Sequence, residues 1–191
     1  MSYVVSPYAV DLEGLRLIGS YGQEFVDDIV RSAPANVLER LDEAEDVGLT
    51  PGDVIRQLLR GEPMHRDFGP SYGHALEALC RHSGTQLNNA HWAGMRFGYF
   101  ALVQNALAEI GVDFDPSELV LSGSPVNLPE IEDFPSIGYL DNREIKSLAE
   151  IFADADLDRL ADDTVRASVA DLVEWLRVCQ DNGTGLVCFY Y

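Results

Sequence analysis

Basic residues are scarce in this chain, and lysine is almost absent. Its 13 Lys and Arg residues stand against 32 Asp and Glu residues, which gives a formal net charge of −19 at pH 7. Proteins that bind nucleic acid or an anionic membrane surface use clustered Lys and Arg to neutralise phosphates. The composition therefore argues against both kinds of partner. Lys146 is the only lysine, and its predicted exposed position on a helix removes most routes to Schiff-base catalysis.

Long apolar runs and regularly spaced cysteines are also missing. No stretch of about 18 apolar residues is present, so we expect no membrane-spanning segment. The N-terminal sequence has no basic region followed by a long apolar region, which is the pattern of a secretion signal. The three cysteines, Cys80, Cys179 and Cys188, form no disulfide framework. Cys179 and Cys188 are predicted to be core residues. These features predict a cytoplasmic protein in a reducing compartment.

The chain lacks the common signatures of catalysis and cofactor binding. It contains no phosphate-binding Walker loop, dinucleotide fingerprint, Gly-x-Ser-x-Gly or Cys-x-x-Cys. The run Asp154-Ala-Asp156-Leu-Asp158 resembles the start of a calcium loop. However, Arg159 stands where that loop needs glycine, and Val165 stands where it needs a bidentate glutamate. We therefore predict neither an EF-hand nor a bound cofactor.

Length and composition indicate a globular protein. The chain has 191 residues, of which 47% are apolar and 24% charged, so we assign residues 1–191 to a single domain. Residues 2–10 and 185–191 are rich in β-branched and aromatic residues, which favours strands that pair with each other. The second strand is apolar on both faces, which is typical of a covered strand. The predicted fold class is α+β: a mostly helical single domain with a small sheet that includes the N-terminal and C-terminal strands.

Apolar periodicity and capping residues predict the helices between these strands. A further strand is predicted at 118–122 and a long loop at 122–139. The predicted helices cover 12–18, 23–31, 35–44, a segment after the cap Thr50, Ser71 to Ser83, Ala90 to Ile110, a segment after the cap Asp141 that buries Ile145, Leu148, Ile151 and Phe152, and a last long segment opened by Asp163 or Thr164.

Four stretches together resemble a known family. They are Ser2-Tyr-Val-Val-Ser-Pro-Tyr-Ala-Val-Asp-Leu, Tyr72-Gly-His-Ala-Leu-Glu-Ala-Leu-Cys-Arg-His, Ile137-Gly-Tyr-Leu-Asp and Asn182-Gly-Thr-Gly-Leu-Val-Cys-Phe-Tyr-Tyr. The chain resembles an uncharacterised bacterial family of single-domain proteins of about this length, which is distantly similar to the YfbM-like proteins of unknown function. This resemblance covers most of the chain. It implies a cytoplasmic α+β domain and supplies no catalytic residues.

All four histidines lie between residues 65 and 91, so we tested this segment as a metal site. In a helix, His74 and His82 are eight residues apart, which is roughly 12 Å along the axis. That separation is too large for both to bind one ion, and the spacing matches no zinc pattern. We therefore predict no metal site. The loop His65–Asp67 remains a candidate polar site, against the simpler interpretation of a solvated loop.

Charge asymmetry gives the leading functional hypothesis. Fourteen acidic residues lie between Asp113 and Asp163, and such a negative surface can attract a basic protein or imitate DNA. The simpler interpretation is solubility. We expect a non-enzymatic acidic interaction, accessory or immunity-type module that binds a protein partner of basic character. Neither a nucleic acid nor a membrane is expected as a partner, and the oligomeric state is left open.

The alternative is a small-ligand-binding protein or an enzyme of unrecognised type. It requires several polar side chains to line one cleft. The candidate catalytic residues are His65, Asp67, His74 and Arg96, and the candidate ligand-binding residues are Tyr72 and Trp92.

Overall fold

An antiparallel sheet forms the centre of the structure. The structure is a computed structural model, and it describes residues 2–33 and 48–191. The strands of the sheet are β1 (Tyr3–Val10), β2 (Thr85–Gln86), β3 (Ala93–Met95), β4 (Ser136–Leu140) and β5 (Gly185–Tyr190). The order is β2-β1-β5-β4, and β3 also pairs with β1. Val5 lies opposite Tyr190, so the first and last strands pair as predicted. Strand β5 lies between β1 and β4, and it is apolar on both faces because its alternate residues pack in core clusters on the two sides of the sheet.

Helices supply most of the described structure. They are α1 (Leu12–Arg16), α2 (Gln23–Ser32), α3 (Pro51–Arg60), α4 (Gly69–Ser83), α5 (Tyr99–Glu109), α6 (Glu118–Leu121), α7 (Asn142–Ala153) and α8 (Asp163–Asn182). Two 3₁₀ turns, Arg66–Phe68 and Leu157–Arg159, complete the set. The predicted mostly helical α+β fold, with both terminal strands in one small sheet, is confirmed. The predicted helix at 35–44 falls outside the described residues.

The sheet separates two helical layers. Successive residues of a strand point to opposite faces. Val5 and Ala9 of β1 pack in one core cluster, whereas Tyr8 and Val10 pack in the other. Helices α1–α4 cover the Tyr8 face and form the first layer, and α5–α8 cover the Val5 face and form the second layer.

Side-chain caps fix two helix starts where the sequence predicted them. The Thr50 hydroxyl accepts a hydrogen bond from the Asp53 backbone N–H, and the Asp53 carboxylate accepts one from the Thr50 backbone N–H. Asp141 and Glu144 form the same reciprocal pair at the start of α7. Each capping box satisfies backbone donors that the first helical turn leaves unpaired.

The predicted helix from Ala90 to Ile110 is wrong in its first half. Residues 93–95 form the edge strand β3, and the helix begins only at Tyr99. Gly94 and Gly98 adopt φ values of 72° and 85°, which lie in the left-handed region and interrupt a right-handed helix. The apolar residues in this segment therefore pack from a strand and a turn as well as from a helix.

Four smaller predictions are also corrected. The strand at 118–122 is the one-turn helix α6, since a short apolar run suits either structure. Ser71 does not cap α4, because that helix already begins at Gly69 and Ser71 is buried within it. Ile151 is 41% exposed although it was expected in the core. Asp162, rather than Asp163 or Thr164, caps α8.

Candidate functional site: two clefts on opposite layers

The six residues predicted from the sequence do not converge on one cleft. His65, Asp67, Tyr72 and His74 belong to the first layer or to the loop that leads into it. Trp92 and Arg96 lie on the other side of the sheet, next to the second layer. The structure therefore separates the predicted set into two regions, each with its own cavity.

The loop that carries His65 is anchored from beneath by Tyr72. The His65 backbone N–H donates a 3.0 Å hydrogen bond to the Tyr72 hydroxyl, which in turn donates to the Gln57 side chain. Burial raises the pKa of Tyr72 above its usual value. The phenol is fully buried, so its hydroxyl holds the loop against α3.

An acidic cleft opens beside this loop. The His65 imidazole Nδ1 lies 3.8 Å from the Asp67 carboxylate, and Asp67 forms part of the wall of a cleft of about 600 Å³. The opposite wall comes from the segment 129–133 between α6 and β4. The cleft thus combines four carboxylates with one guanidinium, supplied by Arg66, Asp67, Glu130, Glu132 and Asp133.

A glycine brings the two walls of the acidic cleft together. A Cβ atom placed on Gly69 would lie only 1.9 Å from the backbone oxygen of Glu130. No side chain fits in that space, so the contact requires glycine. The close approach sets the position of the Glu130 segment relative to the Asp67 loop.

His74 belongs to a buried polar network. Its Nδ1 lies 3.4 Å from the Tyr191 hydroxyl, and the two rings stack with their centroids 5.6 Å apart. The Tyr191 hydroxyl donates to Glu77, which also accepts a 3.0 Å hydrogen bond from Tyr8. Arg81 donates to the Tyr8 hydroxyl at 3.3 Å. These contacts join α4 to β1 and to the residue after β5.

A second, smaller cavity contains Arg96 and is called the Arg96 pocket. It has a volume of about 320 Å³ and lies between the β3–α5 turn and the two helices α5 and α8. Phe97 is 93% exposed at this cavity and Leu102 is 48% exposed. Its wall includes the side chains of His91, Met95, Arg96, Phe97, Tyr99 and Leu102.

His91 is oriented by a buried carboxylate. Its Nδ1 lies 3.0 Å from Asp171 of α8, and its backbone N–H donates to the same oxygen at 3.1 Å. The Asn88 amide donates to the other Asp171 oxygen at 3.2 Å. An ionised carboxylate only accepts hydrogen bonds, so Nδ1 carries the proton and Nε2 of the neutral ring is an acceptor.

A family model described as a domain of unknown function, DUF7691, matches residues 1–191. The chain belongs to this family. No curated protein and no solved structure matches it. The predicted membership of an uncharacterised family is thereby confirmed, whereas the YfbM-like similarity and the bacterial origin stay predictions.

Trp92 has a structural role in this DUF7691 domain. It is fully buried, and its indole N–H donates a 2.8 Å hydrogen bond to the Ser168 backbone oxygen of α8. Its ring packs against Trp175 and meets Tyr99 edge to face. Trp92 therefore supports Tyr99 in the wall of the Arg96 pocket from behind.

In the described part of the DUF7691 domain, the possible metal ligands are dispersed and the cysteine thiols are buried. Within residues 2–33 and 48–191, no three His, Cys, Asp or Glu side chains are grouped closely enough to hold a metal ion. The three cysteines are free and buried. Burial raises the pKa of Cys179 to about 11 and the pKa of Cys80 and Cys188 still further. All three therefore remain thiols at neutral pH, a form that is a poor nucleophile.

The same part of the chain contains no helix that is long and apolar enough to cross a membrane. Its candidate sites are the acidic cleft and the Arg96 pocket.

Proposed function

We propose that this DUF7691 domain is a non-enzymatic interaction module, of accessory or immunity type, that binds a basic segment of a partner protein in the acidic cleft. The supporting observation is that two separate features of the sequence meet there. Asp67 belongs to the histidine-containing loop, and Glu130, Glu132 and Asp133 belong to the acidic half of the chain.

The charges in the cleft are available to a partner. Among the described residues, Glu130, Glu132 and Asp133 have no cationic side chain within 4.0 Å. By contrast, Arg177 on α8 is paired with both Glu174 and Asp181. An Arg or Lys side chain that enters the cleft can bind these three carboxylates without breaking an ion pair, because none of the three is paired within the described residues. The overall charge of −19 further steers a basic partner toward the protein.

The test measures binding of a short arginine-rich peptide by fluorescence anisotropy at low and physiological ionic strength. The double variant Glu130→Lys and Glu132→Lys should weaken binding by about tenfold or more. The control variant Asp156→Lys and Asp158→Lys changes the net charge equally on exposed residues outside the cleft. It should weaken binding by less than about threefold, since these carboxylates do not line the cleft and salt screens the interactions of exposed charges that are not in contact. Equal losses of affinity in the two variants would show that only the overall charge matters, and would contradict binding in the acidic cleft.

A cytoplasmic location belongs to the same proposal and is supported by the three free cysteines. A DNA-mimicking surface is the competing explanation for the charge. It predicts that duplex DNA displaces a basic partner, and that both pairs of charge reversals weaken binding alike.

The small-ligand alternative keeps one specific observation in its favour. Arg96, one of its predicted residues, lines a cavity together with the oriented His91. That cavity does not include His65, Asp67 or His74, so a ligand bound there contacts Arg96 and His91 and none of the other predicted catalytic residues.

A further inference from the structure

We infer that the Arg96 pocket binds a small carboxylic acid that carries an apolar group and a hydrogen-bond donor, such as a hydroxyl. This inference is independent of partner binding in the acidic cleft, because the two cavities lie on opposite sides of the sheet.

Arg96 supplies the positive charge. It is exposed and has no acidic side chain within 4.0 Å in the described part of the chain. The buried Asp171 on α8 already accepts hydrogen bonds from His91 and Asn88. A planar guanidinium binds a carboxylate through two parallel hydrogen bonds, which favours a carboxylate ligand at this position.

His91 supplies the hydrogen-bond acceptor. Asp171 fixes the ring through Nδ1, which leaves Nε2 for a group outside the Asp171 contact. Nε2 has no hydrogen-bond partner within residues 2–33 and 48–191. Because His91 and Arg96 line the same cavity, an accepting nitrogen there favours a ligand that carries a hydroxyl or amide N–H besides its carboxylate.

The remaining part of the pocket wall is apolar, which favours a ligand with an apolar group. Phe97 is almost completely exposed, which is costly for an aromatic ring that has nothing to pack against. Leu102 is half exposed beside it, and Met95 is buried in the same wall. A ligand ring or alkyl chain removes this surface from water. The cavity of about 320 Å³ is near the lower limit of known ligand pockets, which favours a small molecule.

Three probes that differ by one group each test the assignment. They are 3-phenyllactate, 3-phenylpropionate, which lacks the hydroxyl, and 3-phenyllactamide, which lacks the charge. Titration of isotope-labelled protein followed by NMR should place the shifted signals at residues 91–102. Phenyllactate should bind about tenfold more tightly than either analogue, since each analogue leaves one polar group of the pocket unpaired.

Two variants assign the roles. Arg96→Gln should reduce phenyllactate affinity by about tenfold, because it removes the cation that binds the carboxylate. Arg159→Gln makes the same charge change at an exposed arginine outside the pocket and should leave affinity unchanged. His91→Phe should abolish the preference for phenyllactate over phenylpropionate while phenylpropionate still binds.

The outcomes separate this proposal from others. Absence of any phenyllactate binding at millimolar concentration, or an equal loss in Arg96→Gln and Arg159→Gln, overturns it. If a tripeptide ending in phenylalanine binds much more tightly than phenyllactate, the carboxylate comes from a peptide C-terminus and the small-molecule assignment is wrong. The Glu130→Lys, Glu132→Lys variant should bind phenyllactate normally, so failure of the acidic-cleft proposal leaves this one standing.

Discussion

The Tyr8 hydroxyl on β1 donates a 3.0 Å hydrogen bond to the Glu77 carboxylate on α4. Tyr8 is fully buried and Glu77 is 3% exposed. A buried carboxylate is tolerated only when its oxygens are hydrogen-bonded, and the Tyr191 hydroxyl satisfies the second oxygen. This polar contact therefore helps to fix the first layer to the central sheet at one position along α4.

Removing the Tyr8 hydroxyl should destabilise the protein. Tyr8→Phe leaves one Glu77 oxygen without that donor, and we expect the free energy of unfolding to fall by about 1–3 kcal/mol. Urea denaturation followed by circular dichroism measures the change. Tyr139→Phe is the matched control on β4, since its partly buried phenol packs in the same cluster. Its cost should stay below about 0.5 kcal/mol, and equal costs in the two variants would contradict the role of the Tyr8–Glu77 contact.

Alkaline pH should destabilise the fold through buried acids that are neutral at pH 7. Burial raises the pKa of Cys80 and Cys188 above 9.0 and the pKa of Tyr8 above 10.0. The unfolded chain loses these protons first, so the stabilisation is complete below about pH 9 and is lost as pH rises through the folded-state values. Each group contributes at most about 1.4 kcal/mol per pH unit.

Urea denaturation between pH 8 and pH 10.5, under reducing conditions, tests this prediction. Cys188→Ala should give a shallower decline of the unfolding free energy with pH than the unsubstituted protein. Val187→Ala, a neighbouring core truncation without a titratable group, should be less stable at every pH and keep the original slope. A slope that Cys188→Ala leaves unchanged would mean that the thiol does not contribute.

Loss of the first capping box should weaken α3. Thr50→Ala should lower the free energy of unfolding by about 1 kcal/mol, and Thr50→Ser should retain most of the stability because it keeps the hydroxyl. Hydrogen bonds from Thr50 hold the pKa of Asp53 below 3.8. This contribution is present above that pH and is lost as Asp53 becomes protonated. The difference between Thr50→Ala and the unsubstituted protein should therefore shrink below about pH 4 in the same denaturation experiment.

The acidic cleft should depend on the close approach at Gly69. Gly69→Ala places a methyl group against the Glu130 backbone oxygen, so the two walls must separate, at a cost of about 1–3 kcal/mol. Gly22→Ala is the control, because nothing lies within 4 Å of its Cβ position. It should cost less than about 1 kcal/mol. Thermal unfolding gives the stabilities, and the arginine-rich peptide should bind more weakly to Gly69→Ala alone.

Local signals in the sequence predicted most of the fold. The caps Thr50 and Asp141 and the apolar strands at both ends act over a few residues, so they can be recognised without the folded structure. The error at Ala90–Ile110 has a physical cause. Residues 92, 95, 99 and 102 match helical spacing, but the left-handed backbone at Gly94 and Gly98 converts the first half into a strand and a turn.

The candidate sites depended on contacts between distant parts of the chain. Asp171 is 80 residues from His91, and the only local signal for His91 was that it lies in the histidine-rich segment. The acidic cleft likewise brings together Asp67 and Glu130, which are far apart in the sequence. The close approach of Gly69 to the Glu130 backbone has no signature in the sequence. His74, which was predicted as a candidate catalytic residue, lies in a buried network with Tyr191 and Glu77.

The central position of β5 also has a consequence for synthesis of the chain. β5 pairs with β1 on one side and β4 on the other, and its alternate residues enter both core clusters. A ribosome makes β5 after every other described element, so neither core can close until residues 185–190 have emerged. Until then, β1 presents an apolar strand with an unpaired edge, which is the kind of surface that chaperones shield from aggregation.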